Sequence, residues 1–91
     1  MTYEWDPEKD RINQAKHGIS FMEASTVFLD PLAATVEDPR HSIGEFRYLT
    51  TGYTLTNRLI VVAHADRDER IRIIMAREAT RRERRQYEQE N

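Results

Sequence analysis

Lys16-His17-Gly18 closes the first helical pattern of the chain, and Arg77 closes an apolar run, Ile71 to Ala76, far along it. A cation, an imidazole and a guanidinium are what cleavage of RNA calls for. One group takes the proton from the attacking 2′-OH, one protonates the leaving 5′-oxygen and one neutralises the phosphorane between them. That route needs no metal and no cofactor. Histidine titrates near neutral pH unaided, and a glutamate can act as base where its surroundings raise its pKa. His17 is therefore a candidate acid or base with Lys16 on the phosphate; the competing reading is that His17 caps helix carbonyls and Lys16 is surface. Glu45 and Arg47 stand two apart at the head of an alternating stretch, so both face one side of an extended chain. They make either a base beside a phosphate clamp or an ion pair. Arg77 is the candidate for transition-state stabilisation, because a guanidinium grips phosphate with two parallel hydrogen bonds.

The formal net charge of −2 hides an uneven distribution. Residues 1–45 carry nine acids and four bases, whereas residues 46–91 carry seven acids and ten bases, all ten of them arginine. An arginine-rich half suits phosphate or carboxylate partners. Arg67, beside His64, is a candidate RNA contact, and so are Arg81, Arg84 and Arg85, which with Arg82 form a basic run near the C-terminus. They would track an RNA backbone or meet an acidic protein surface; the plainer reading is a solvated face laced to nearby glutamates. Tyr48, Tyr53 and Tyr87 can stack on bases but are expected to serve packing. His17, His41 and His64 lie in separate segments without paired ligand spacing, so no metal site is expected, and no Gly-x-Ser-x-Gly elbow is present. With no cysteine there is neither a disulfide framework nor a thiolate site. No leader and no apolar run near the roughly 20 residues of a membrane span are evident, so a soluble, cytoplasmic protein is expected.

Ninety-one residues make one small domain, 1–91. Asp6 suits a helix N-cap, Pro7 the first helical position and Gly18 the left-handed residue past the end, giving a helix over about 7–17. Ser20 and Glu23 form a capping-box pair, and Phe21, Ala24, Val27 and Phe28 keep helical spacing until Asp30-Pro31, giving a second helix over about 21–29. Leu32–Val36 is a short strand candidate, and residues 37–42 form a loop. From Phe46 the chain alternates. Turns at Thr56-Asn57 and at 66–69 separate strands at Leu59–Ala63 and Ile71–Ala76, an antiparallel meander. Thr80 and Glu83 open a terminal helix over about 81–90 that, apart from Tyr87, has little to bury. The fold class is α+β, with the helices segregated from a curved antiparallel sheet.

These residues resemble the BrnT family of type II toxins. The likeness runs through Trp5-Asp6-Pro7, Asn13, Lys16-His17-Gly18, Phe21, Glu23-Ala24 and Val27-Phe28-Leu29-Asp30, then Glu45, Arg47, Gly52, Arg58, His64, Arg67, Ile71-Arg72-Ile73-Ile74, Ala76-Arg77, Glu83-Arg84 and Tyr87. It covers nearly the whole chain. The resemblance implies a RelE-like fold, with two N-terminal helices and a C-terminal helix, and a metal-independent endoribonuclease that inhibits translation. It further implies neutralisation by a BrnA-like antitoxin in a 2:2 heterotetramer that reaches operator DNA only through the antitoxin. Met75 departs from the family, whose members usually place serine there. The competing reading, drawn from the residues alone, is a non-catalytic module that binds RNA or protein through the arginine-rich half.

Overall fold

The computed structural model describes residues 1–90. Helix α1 spans Pro7–His17. The Asp6 carboxylate accepts the Glu8 N–H at 2.8 Å, and Gly18, at φ 68°, donates its N–H to the Gln14 carbonyl. Ser20 caps α2 (Phe21–Ser25) by accepting the Glu23 N–H at 3.0 Å. The chain then tightens into a 3-10 turn, Thr26–Leu29, where helical spacing suggests a continuous helix to residue 29. The Ser25 and Thr26 hydroxyls donate back to the carbonyls of Met22 and Glu23, a competition that shortens α-helices. Helix α3 spans Arg81–Glu90, opened by reciprocal bonds between Thr80 and Glu83 at 2.8 and 3.1 Å.

Five strands, β1 (Thr2–Glu4), β2 (Ala34–Glu37), β3 (Arg47–Tyr53), β4 (Leu59–Arg67) and β5 (Arg70–Glu78), form one sheet in the order β1-β5-β4-β3-β2. From β2 to β5 it is an antiparallel meander, turned at Asn57 (φ 64°) and Asp68 (φ 56°). β2 starts at Ala34 rather than Leu32, because the Leu32 and Ala33 N–H groups are spent on Asp30. β4 runs on through Asp66 and Arg67, leaving only Asp68 and Glu69 to turn. β1 is parallel to β5, which makes the sheet mixed; three residues are too few to show a period in the sequence.

One face is covered. Phe21, Ala24 and Val27 pack on Ile60, Val62, Ile71, Ile73 and Ala76, all buried. The contact is close enough that a Cβ on Gly52 would lie 2.9 Å from Val27 Cγ2, so only glycine fits there. A β-bulge in β5 decides which residues join this core. His64 pairs with Ile73 and Ala63 with Met75, leaving Ile74 as the extra residue. The alternation shifts phase there, so that Ile73 and Ala76 both point inward while Met75 and Arg77 point to the opposite face. α1 closes the outer edge of β5 where β1 has ended. The buried Asn13 amide donates to the Ala76 carbonyl at 2.9 Å and accepts the Ala76 N–H at 3.2 Å, as a neighbouring strand would, and donates to the Ile19 carbonyl at 2.9 Å.

Candidate functional site

The sheet face opposite α2 is open over much of its area, and strand register places its residues in rows. Across β2 to β5 these are Ala34–Thr51–Val61–Arg77 and Val36–Leu49–Ala63–Met75, followed by Arg47–Ala65–Arg72 across β3 to β5 and Arg67–Arg70 across β4 and β5. An apolar shelf thus lies between arginines at both ends. α3 closes one end, where Glu83, Gln86 and Tyr87 line a groove with Ala34, Val36, Leu49, Thr51 and Val61. Tyr87 anchors that helix by donating to Asp30 Oδ2 at 2.7 Å, and its ring packs edge-on to Tyr53. Burial and this bond push the Tyr87 hydroxyl up to about 12, so it remains a donor. Burial works to raise Asp30, but bonds from Tyr53 N–H, Tyr87 and Leu32 N–H outweigh it and hold the carboxyl below its ordinary value.

Arg77 is fixed on this face by Glu83. Its Nη1 and Nη2 donate to the two carboxylate oxygens at 2.7 and 3.0 Å, and Nη1 also reaches the Glu78 carbonyl at 3.2 Å. A guanidinium carries five N–H donors. Three are engaged here, which leaves Nε–H and the second Nη2 hydrogen, the adjacent pair that forms a side-on fork. The bond from Arg77 brings Glu83 down to about 2, and the same bond raises Arg77. Both therefore remain charged across the neutral range.

Lys16 and His17, at the C-terminal end of α1, line a cleft with Lys9, Ile12, Asn13, Ile74 and Met75. His17 is half-buried and Lys16 exposed, and neither side chain has a hydrogen-bond partner among the described residues. The helix-capping role that competes for His17 is filled by the Gly18 N–H. Met75 forms a wall of this cleft and stands two residues before Arg77 on the same face of β5. Glu45 lies just ahead of β3 and pairs with Arg67, at 3.1 and 3.3 Å, rather than with Arg47. Arg84 donates to the Tyr53 hydroxyl at 3.3 Å, while Arg81 and Arg85 are exposed. His64 belongs to the covered side. Its Nδ1–H donates to Asp66 at 2.9 Å, Nε2 accepts from the Thr50 hydroxyl at 2.7 Å, and Phe28 and Tyr48 pack on the ring. Burial lowers its pKa, and neither nitrogen is left for a ligand.

A family model described as the ribonuclease toxin BrnT of a type II toxin–antitoxin system matches residues 5–83. The chain belongs to the BrnT ribonuclease-toxin family. Its fold is similar to the 1.1 Å crystal structure of the Brucella abortus ribonuclease toxin BrnT, with a TM-score of 0.63 and 21% identity, over 89% of this chain and 100% of that one. No curated protein matches. As a BrnT-type toxin of a type II system it has an antitoxin as partner. Two residues of this BrnT chain escape sequence reasoning. Glu83 is visible as a capping residue, but nothing in the spacing shows that it also holds Arg77. Arg72 lies five residues before Arg77, an odd separation that strict alternation assigns to opposite faces, and only the bulge brings the two together.

Proposed function

We propose that this chain is a metal-independent endoribonuclease that cuts RNA on the open face of its sheet and thereby inhibits translation in the cytoplasm. Residues 1–91 act as one toxin domain, silenced by a BrnA-like antitoxin in a 2:2 complex that reaches operator DNA through the antitoxin. The observation that carries this reading is Arg77, whose guanidinium is held by Glu83 with a two-donor fork left over. In the proposed reaction the 2′-OH attacks the adjacent phosphorus, the P–O5′ bond breaks, and a 2′,3′-cyclic phosphate and a 5′-OH result. Arg77 takes the phosphorane oxygens through the fork, and Lys16 adds a second positive charge. His17, half-buried and unpartnered beside Met75, passes the proton. Glu45 and Arg47 flank the strand that carries the substrate past these groups, and Arg67, Arg81, Arg84 and Arg85 contact its backbone.

The test is expression of the wild type and of Arg77→Ala without antitoxin, following growth and RNA integrity together, with the purified proteins assayed in EDTA. Growth arrest with EDTA-resistant cleavage, absent from a folded Arg77→Ala protein, is the expected result. Folded wild type that leaves RNA intact would instead favour a module that binds without cutting.

A further inference from the structure

Arg47 and Arg72 differ from the other arginines of the open face. Arg67 and Arg70 are neutralised by Glu45 and Glu4, and Arg77 by Glu83. Arg47 and Arg72 are both half-buried, yet neither side chain has an acidic or hydrogen-bonding partner among the described residues. Glu4 is the register neighbour of Arg72, but its carboxylate turns to Arg70 at 3.3 Å. The two free guanidiniums belong to one row, with Ala65 between them on β4. Their backbones are therefore two strand spacings apart, about 10 Å. Ala65 projects only a methyl yet is buried, so the long side chains of the neighbouring strands lie over it. Charge left unneutralised in a half-buried setting is costly unless an anion completes it.

We propose that Arg47 and Arg72, which flank Ala65 in one row, form a second phosphate site, which holds the RNA backbone away from the reacting phosphodiester. This rests on the ribonuclease reading and deepens it by assigning how the substrate is gripped. Along β4, Ala65 stands four residues from Val61, the row partner of Arg77, which is about 13 Å of strand. An extended RNA strand crosses that span in about two nucleotides. Leu49, Ala63 and Met75 lie between the two sites, an apolar shelf on which an intervening base can rest. Arg47 thereby acts as a grip on the substrate, and Arg72 joins it.

The experiment measures binding of fully 2′-O-methylated oligoribonucleotides of two to six nucleotides, which lack the attacking hydroxyl, to wild type, Arg47→Gln and Arg72→Gln over a range of salt. Thermal melting first establishes that each variant is folded. Wild-type affinity should rise stepwise once the oligomer reaches about four nucleotides. Each variant should lose that step, falling about tenfold on the long oligomers relative to the dinucleotide, with a salt slope shallower by about 0.7. Variants that bind every length as the wild type does, or that lose the same factor at all lengths, overturn the second phosphate site and leave the ribonuclease reading standing. Variants with unchanged oligomer binding but weakened antitoxin binding also overturn it, making the arginine pair a protein contact. If the wild type binds no oligomer of any length but still cleaves RNA, this site is refuted. If it neither binds nor cleaves, the reading beneath it fails as well.

Discussion

Glu83 does two things with one carboxylate: it caps α3 through Thr80, and it fixes the plane of Arg77. Lysine at position 77 keeps the charge but cannot present two parallel donors while bound to Glu83. Single-turnover cleavage by Arg77→Lys should therefore fall about 100-fold or more, as losses of directed transition-state donors do. Glu83→Gln tests positioning separately. It retains the guanidinium but frees its plane, so kcat should drop while KM changes little; a loss confined to KM would assign Glu83 to binding. The pair also sets an acid limit. Glu83 moves from 4.5 in the unfolded chain to about 2 in the fold, so its contribution to stability is complete above 4.5 and is lost as pH falls through about 2. His64 acts at the other end of the scale. Burial lowers its folded pKa below 6.5, so the unfolded chain binds the proton more readily and stability declines as pH falls below that value. Chemical denaturation between pH 8 and 5 should show this slope in the wild type and lose it in His64→Gln. Arg77, Lys16 and His17 are legible as candidates because their chemistry is in the residue type. Their neighbours are less so: Glu45 turns to Arg67, and the Glu83–Arg77 contact depends on how α3 leaves β5.

At the scale of elements, the ends of α1 and α3 and the four-strand meander are readable, because caps, turn residues and periods act locally. The 3-10 turn is hidden because its hydroxyl-to-carbonyl bonds interrupt a stretch whose spacing is helical, and β1 and the bulge are not readable, since each depends on contacts distant in sequence. Asn13 shows the same limit. It sits in a helix yet serves as the strand that β5 lacks, and only the assembled edge reveals it. Asn13→Ala would leave the Ala76 N–H and carbonyl and the Ile19 carbonyl unpaired in a buried place, costing about 3 kcal/mol or more. In a chain of this size that lowers Tm by more than about 10 °C. Asn13→Asp should fare no better, because its carboxylate would face two carbonyl oxygens; a melting temperature near wild type for either variant would show that water replaces the amide. α3 depends on a narrower anchor. Tyr87→Phe removes the bond to the ionised Asp30, worth about 1.5–3 kcal/mol. Hydrogen exchange should show α3 opening more readily in that variant while β4 and β5 keep their protection.

For the molecule as a whole, one face of the sheet carries α2 and the main core, while the other carries α3 at one end only, in a chain small enough that an uncovered face weakens an already limited core. A net charge of −2 means that the summed field opposes RNA at long range, whereas the open face offers it arginines at both ends of an apolar shelf. These two scales predict opposite signs. If the net field governed encounter, salt would screen repulsion and RNA cleavage below saturation would speed up as salt rises. If the local arginines govern, each neutralised phosphate releases counterions, and kcat/KM falls with a log–log slope of about −0.7 per phosphate held. Debye screening at physiological salt confines fields to about 8 Å, so charges elsewhere on the molecule are largely screened and the local term should win. Turnover at saturating RNA should then be nearly independent of salt, because the contacts that salt weakens are made before the chemical step. A kcat/KM that rises with salt would mean that RNA approaches this protein by a surface other than the open face of its sheet.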